Sequence, residues 1–426
     1  MKEKFNAAGN ADAPLFEQLE VQVSAPRASL LKQEVKEARV VETKLLSHPD
    51  VPEKRHIEIE LPSDMTYSVG DYLAVLPLNP KENVARAMRY FGLAWDSMVT
   101  ISAAGPTTLP TDMPVSAADL FGAYVELAQP ASKRTVTTLI GATKDEETIA
   151  ALTKLAGEDF DAEVTGKRLS VLDILERFPS ITLPLPAFLQ LQPPMRVRQY
   201  SISSSPLWNP SRVTLTYAVL DQPSLAAPNK RHHVGVASSY LAHLEAGDAL
   251  HVSIRPSAQA FRLPASPEAT PLIMVAAGSG LAPFRGFVQE RAAQIAAGRK
   301  LAPALLFYGC RAPGKDDLYK ELFDEWESRG VVQVRRAYSR AKDQSEGCGH
   351  VQERMWMDRK DIIELFDGGA KVFVCGSSTV GQAVSKVCCE MALERQQELG
   401  KDTNMEKVEK WFETIRNDRF ATDVFA

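Results

Sequence analysis

The sequence predicts an antiparallel β-barrel interrupted by a helical insertion and followed by a doubly wound α/β domain. Three observations carry this. Short strands with alternating residues stand on both sides of a helix-rich stretch, and a regular strand-helix rhythm fills the chain after Pro264. The third is length, because 426 residues exceed what one core of roughly 100–200 residues uses.

Residues 1–30, Ala-rich with scattered Asn, Asp and Pro and without a sustained period, read as a linker or tail. Three alternating runs follow at Ala38–Thr43, Arg55–Leu61 and Asp71–Leu76, the pattern of half-buried strands. From about Pro80 to Pro186 the text turns helical, with stretches over Lys81–Phe91, Glu146–Leu155 and Val171–Phe178. Strands resume at Val197–Ser203, Arg212–Leu220 and Ala249–Ile254, as if one barrel had been interrupted and then completed. Beyond Pro264 come the strands Pro271–Ala277, Ala304–Gly309, Val331–Ala337 and Lys371–Cys375. They alternate with helices over Phe284–Ala297, Asp317–Ser328 and Ser378 to about Leu399. Such alternation implies a parallel sheet with its ligand at the carboxyl ends of the strands. The expected division is therefore 31–80 with 187–264 for the barrel, 81–186 for the insertion and 265–426 for the α/β domain.

Composition excludes several classes. A net charge of −5 gives no broad basic field for nucleic acid. No apolar run approaches the ~20 residues of a membrane helix, and Met1-Lys2-Glu3-Lys4-Phe5 lacks the apolar core of a signal peptide. The five cysteines, Cys310, Cys348, Cys375, Cys388 and Cys389, form no CxxC pair, so neither a disulfide framework nor a metal site is expected, and a cytoplasmic location is.

Three segments carry chemistry. In Arg198-Gln199-Tyr200-Ser201-Ile202-Ser203-Ser204-Ser205-Pro206 a cation, an aromatic ring and hydroxyls share one strand and turn. A guanidinium suits a pyrophosphate, a ring can lie on an isoalloxazine and a hydroxyl can bond a ring nitrogen, although a Ser-rich turn is an even match. Gly235-Val236-Ala237-Ser238-Ser239-Tyr240-Leu241 opens a helix whose first amides can bind phosphate oxygens, or simply cap it. Gly278-Ser279-Gly280-Leu281-Ala282-Pro283-Phe284 stands between a strand and a helix, the context of a dinucleotide pyrophosphate site. No acidic residue closes the strand ending at Tyr338 to hold a free ribose hydroxyl, which favours NADP over NAD.

Taken in this order, the three segments resemble the ferredoxin-NADP reductase superfamily. Phe307-Tyr308-Gly309-Cys310-Arg311, Ala337-Tyr338-Ser339-Arg340, Val372-Phe373-Val374-Cys375-Gly376 and the closing Arg419–Ala426 extend the likeness. The helical insertion resembles the connecting domain of diflavin reductases. The texts Glu53–Leu61 and Gly70–Asn79 are most similar to the reductase part of fungal self-sufficient P450 fatty-acid hydroxylases. The resemblance implies an NADPH-dependent flavoprotein that moves hydride onto FAD. Electrons would then pass singly to a flavodoxin-like FMN domain and on to a P450 heme domain, both absent from this chain. A stand-alone P450 reductase or a sulfite reductase flavoprotein shares these motifs, and a non-catalytic flavodoxin-binding scaffold is the rival of another class.

Residue by residue, the resemblance places FAD on Arg198, Tyr200, Ser201, Tyr217 and Val219, with Gly235, Val236, Ala237 and Ser238 on its phosphates and Phe425 on its ring. NADPH would meet Arg55, Gly278, Ser279, Gly280, Cys310, Arg311, Gln352 and Cys375, with Ser339 and Arg340 on the 2′-phosphate. Ser201, Cys375 and Asp423 match the catalytic trio, with Phe425 as the ring that must move aside. Two departures stand out: Tyr72 occupies a position where the family often has histidine, and Cys348-Gly349-His350-Val351-Gln352 lacks the family's lysine and tyrosine. Cys388, Cys389, His232 and His233 read as structural or solvated, and Val408, Trp411, Phe412 and Ile415 as a helix core stripe.

Overall fold

The structure is a computed structural model and describes residues 27–227 and 230–425; most of the expected amino-terminal linker lies outside them. In chain order the strands are β1 (Lys36–Leu45), β2 (Lys54–Glu60), β3 (Tyr72–Leu76), β4 (Met98–Thr100), β5 (Pro114–Ser116), β6 (Arg198–Ser201), β7 (Arg212–Ala218), β8 (Asp221–Pro223), β9 (His232–Val234) and β10 (Ala249–Arg255). They continue with β11 (Leu272–Ala277), β12 (Ala304–Cys310), β13 (Gln333–Tyr338), β14 (Lys371–Ser377) and β15 (Phe420–Phe425). The described residues divide into two compact units, one of residues 27–34 and 81–196, the other of residues 35–80, 197–227 and 230–425.

The larger unit holds an antiparallel sheet in the order β6-β3-β10-β1-β2-β7. Its edge strands approach each other where Ile202 bridges Leu215. One face packs Val40, Ile57, Ile59, Leu73, Val75, Val213, Leu215 and Val252 into a core, each worth about 1.5–3 kcal/mol of burial. The alternation in β2 predicts a half-buried strand, but His56 and Glu58 on its other face are buried too. There Tyr319 accepts or donates a 2.9 Å hydrogen bond at His56 Nδ1, and Arg212 pairs with Glu58 at 2.7 Å. Polar residues stay inside because each has a partner.

The second sheet of this unit is parallel, in the order β13-β12-β11-β14-β15. Leu272, Met274 and Ala276 of β11 enter one core, and Ile273 and Val275 enter another on the opposite face. Burial on both faces explains why its strands read as unbroken apolar runs. Strand order turns back between β11 and β14, and that opens a crevice at their carboxyl ends. The helix expected from Asp317 begins at Lys320, after Tyr319 adopts the left-handed region at φ 55°. In the carboxyl-terminal helix Met405–Ile415, Val408 and Phe412 are buried while Trp411 is 40 % exposed, so Trp411 leaves the core stripe. It covers Phe366 edge-on instead. His232 and His233 lie not in a loop but on β9, paired with β8.

The smaller unit is mainly helical. Its longer α-helices begin with Lys81–Tyr90 and Ala117–Ala123, with the β4–β5 hairpin between them, and continue with Lys133–Ile140, Glu146–Ala156, Val171–Arg177 and Leu185–Leu191. Ser116, Ser132, Asp145 and Ser170 cap four of these, each accepting an amide hydrogen bond three residues on. A buried ion pair from Arg86 to Asp173, 2.7 Å long, ties the first helix to the fifth.

Candidate functional site

The flavin-type segments lie on the two edge strands of the antiparallel sheet, β6 and β7, and at the helix start that follows β9. Strand β6 carries Arg198, Tyr200 and Ser201, and its register on β3 sets Leu73 opposite Tyr200 and Tyr72 opposite Ser201. Tyr200 meets Tyr217 edge-on at 5.8 Å, and burial holds both phenols well above their usual range. Val219 follows β7, donating its amide to Glu53 O at 2.9 Å. Gly235 then packs so closely that a Cβ would lie 2.6 Å from Ser238 Oγ and 2.9 Å from Leu220 Cβ. Ser238 Oγ accepts the Leu220 amide at 3.1 Å, which fixes the turn beside Val236 and Ala237, both buried. A backbone cradle that excludes any side chain fits a phosphate group close to the amides.

The dinucleotide-type segments gather at the carboxyl ends of the parallel strands. Gly278 follows β11 with φ +56° and begins a short 3₁₀ turn that enters the helix Ala282–Ala296. A Cβ at Gly280 would lie 2.2 Å from Cys375 O, so β14 closes directly on this turn. Cys310 ends β12, and the loop after β13 is stitched to it: Ser339 N donates to Cys310 O at 3.0 Å and Arg340 N to Arg311 O at 2.8 Å. The Arg311 and Arg340 backbones are thus neighbours, and neither guanidinium has an ion pair among the described residues. Two free cations on adjacent loops suit a phosphate. Gln352 stands in the first turn of the helix Val351–Met357, after Gly349 donates to Glu353 Oε2 at 2.7 Å.

Between the two sets lies a carboxylate. Ser201 Oγ donates to Asp423 Oδ2 at 2.9 Å, and Cys375 Sγ stands 3.9 Å from the same oxygen. Cys375 and Asp423 are register partners across β14 and β15. Burial, then the Asp423 charge, raises the Cys375 thiol far above its ordinary range, so it stays protonated. The fold therefore brings together three residues from positions 201, 375 and 423. Phe425 lies two residues on, 45 % exposed and opposite Ser377. Arg55 pairs with Glu53 and sits opposite Tyr217 in β2 and β7.

Sequence reading missed three residues here. Tyr72 OH donates to Asp423 Oδ1 at 2.9 Å, although it was singled out only as a departure. Lys54 and Asp316 form a buried ion pair of 2.9 Å. Asp316 Oδ1 also accepts the Arg311 amide at 2.8 Å, and the Lys54 side chain passes under Gly278. A lysine among the charges of β2 gave no signal that it would be buried.

Known proteins resemble this chain over most of its length. Residues 29–240 match the FAD binding domain family, and residues 274–386 match the oxidoreductase NAD-binding domain family. The protein is a flavoprotein oxidoreductase, with FAD and NADPH as its cofactors. It is 58 % identical over 405 residues to a bifunctional cytochrome P450/NADPH–P450 reductase of Fusarium oxysporum, covering 95 % of this chain and 38 % of that protein. A self-sufficient cytochrome P450 monooxygenase of Exserohilum turcicum is 47 % identical, with 95 % and 37 % covered. A bifunctional enzyme of Acremonium egyptiacum is 44 % identical, with 98 % and 38 % covered. The chain belongs to the family of fungal P450-reductase fusions, as their FAD- and NADPH-binding reductase portion, and spans less than two fifths of these relatives' length. Among the described residues no helix is long and apolar enough to cross a membrane.

Proposed function

We propose that this chain takes hydride from NADPH onto FAD and passes the electrons singly to an FMN domain that serves a P450 heme. The observation that carries this reading is the meeting of Ser201, Cys375 and Asp423 between the flavin-type and dinucleotide-type segments. FAD, when bound, supplies a two-electron acceptor that can release electrons one at a time. Arg198, Tyr200, Ser201, Tyr217 and Val219 would hold it, with the turn Gly235–Ser238 on its phosphates. Gly278, Ser279 and Gly280 would hold the NADPH pyrophosphate, with Arg55, Cys310, Arg311 and Gln352 beside it and Ser339 and Arg340 on the 2′-phosphate. Asp423 would face the positive charge that develops on the nicotinamide, and Cys375 would keep water from the reacting carbon. Phe425 would cover the flavin until coenzyme displaces it.

The Ile202–Leu215 bridge supports a closed barrel. The helical residues 81–186 would be a connecting domain that meets the FMN partner, between barrel segments 31–80 and 187–264 and the NADPH domain 265–426. Five free cysteines favour the reducing cytoplasm. The P450 partner and its fatty-acid substrate are proposed from what the relatives' names and the resemblance say. Flavin extraction and anaerobic NADPH titration test the core of this reading. One FAD per chain, no FMN and stoichiometric bleaching are expected; FMN in the extract or a colourless protein would overturn it.

A further inference from the structure

Two cross-strand pairs from different sheets converge on one carboxylate. Tyr72 and Ser201 are opposite each other in β3 and β6, and Cys375 and Asp423 are opposite each other in β14 and β15. Tyr72 OH takes Asp423 Oδ1 and Ser201 Oγ takes Oδ2, each at 2.9 Å. Both carboxylate oxygens are therefore held from the antiparallel sheet, and the plane of the group is fixed.

Asp423 accepts only from neutral groups and has no ion-pair partner among the described residues. A carboxylate held this way keeps its charge available to a cation that appears nearby, whereas a guanidinium partner would cancel it. Burial, and next the Asp423 charge, raise the Tyr72 phenol above its ordinary range, so it remains a donor at any working pH.

We propose that Tyr72 is a positioning residue for hydride transfer, aiming the Asp423 carboxylate by holding the oxygen that Ser201 leaves free. This rests on the reading of Asp423 as the group facing the nicotinamide. In the step itself C4–H of the reduced nicotinamide breaks, and its hydrogen with two electrons forms the new bond at the flavin N5. NADP⁺ is left, and no other reactant is consumed. Tyr72 contributes no atom.

The test compares Tyr72→Phe, Tyr72→His and Asp423→Asn at matched FAD content. Stopped-flow flavin reduction should slow about tenfold in Tyr72→Phe, as expected for losing one hydrogen bond to a charged group. Calorimetric affinity for 2′,5′-ADP, which lacks the nicotinamide, should stay within about twofold, because Tyr72 bonds Asp423 and none of the residues placed on the pyrophosphate or 2′-phosphate. Tyr72→His, which restores an N–H donor, should recover most of the rate. In flavin-free protein carrying ¹³Cζ-tyrosine, the Tyr72 resonance, identified by its loss in Tyr72→Phe, should move in Asp423→Asn. A slow Asp423→Asn beside a Tyr72→Phe of wild-type rate, or an unmoved resonance, overturns the role of Tyr72 alone. An Asp423→Asn that reduces at the wild-type rate overturns the underlying site reading instead.

Discussion

Gly280 and Cys375 touch through the backbone: a Cβ at residue 280 would lie 2.2 Å from the Cys375 carbonyl oxygen and 2.7 Å from its carbon. Since β14 cannot withdraw without breaking its ladder with β11, the 3₁₀ turn would have to move. Gly280→Ala should cost on the order of 1–3 kcal/mol as an overpacking change and weaken NADP⁺ binding at least tenfold while FAD content stays normal. Thermal unfolding and coenzyme titration check this, and wild-type affinity would show that the turn does not position the coenzyme.

Lys54→Met removes one partner of an ion pair whose side chains are 8 % and 2 % exposed. Leaving Asp316 buried without its cation should cost about 3–5 kcal/mol, read as a lower urea midpoint. NADP⁺ affinity should fall as well, because Asp316 holds the Arg311 amide and Lys54 supports Gly278. An exposed salt bridge would show neither effect.

Arg340→Ala should raise KM for NADPH far more than for NADH, by tenfold or more, since a charge-assisted contact is worth about 1.5–3 kcal/mol. Ser339→Ala should act in the same sense but less. Equal losses with both coenzymes would place the 2′-phosphate elsewhere.

His56 gives a pH signature. Burial first, then the Arg285 and Lys44 charges, push its imidazole down to about 3. Between that value and the unfolded value of about 6.5, the unfolded chain binds a proton that the folded chain refuses. Stability therefore falls as pH drops through this window, by about 2 kcal/mol from this residue at pH 5. Urea unfolding of wild type and His56→Gln at pH 7 and pH 5 measures it, with the smaller loss expected in the variant.

Phe425→Ala should shift coenzyme preference toward NADH, because less binding energy from the 2′-phosphate is needed to clear the flavin face. Comparing the two coenzymes in kcat/KM decides this. An unchanged ratio with an unchanged flavin spectrum would remove the ring from the site.

Much of the parallel sheet was legible because strands buried on both faces and short helices leave unmistakable runs, as in Leu272–Ala277 followed by glycines. The glycine turn is readable for the same reason, since backbone chemistry there is local, whereas Ser339 and Arg340 are reached only through the family resemblance. What escaped depends on partners far along the chain. Glu58 and His56 alternate like solvent-facing residues, yet Arg212 and Tyr319 make their burial possible. Tyr72 looked like a lost contact because its partner, Asp423, is 351 residues away. Trp411 shares the helical period of Val408 and Phe412, but period alone does not tell the centre of a buried stripe from its rim.

The pairing of β3 with β6 has one more implication. Val75 lies opposite Arg198 and Tyr72 opposite Ser201, so the two strands form an antiparallel hairpin whose connection is the whole segment from 77 to 197. The chain leaves and rejoins the sheet at adjacent points, a geometry that a few turn residues satisfy equally well. Loop closure grows slowly with length, by about 0.6 kcal/mol per doubling, so this long connection costs the sheet only about 3 kcal/mol more than a tight turn would. The register of the strands that carry Tyr72 and Ser201 is thus set by their own pairing, and the length of chain between them enters only as the entropy of closing one loop.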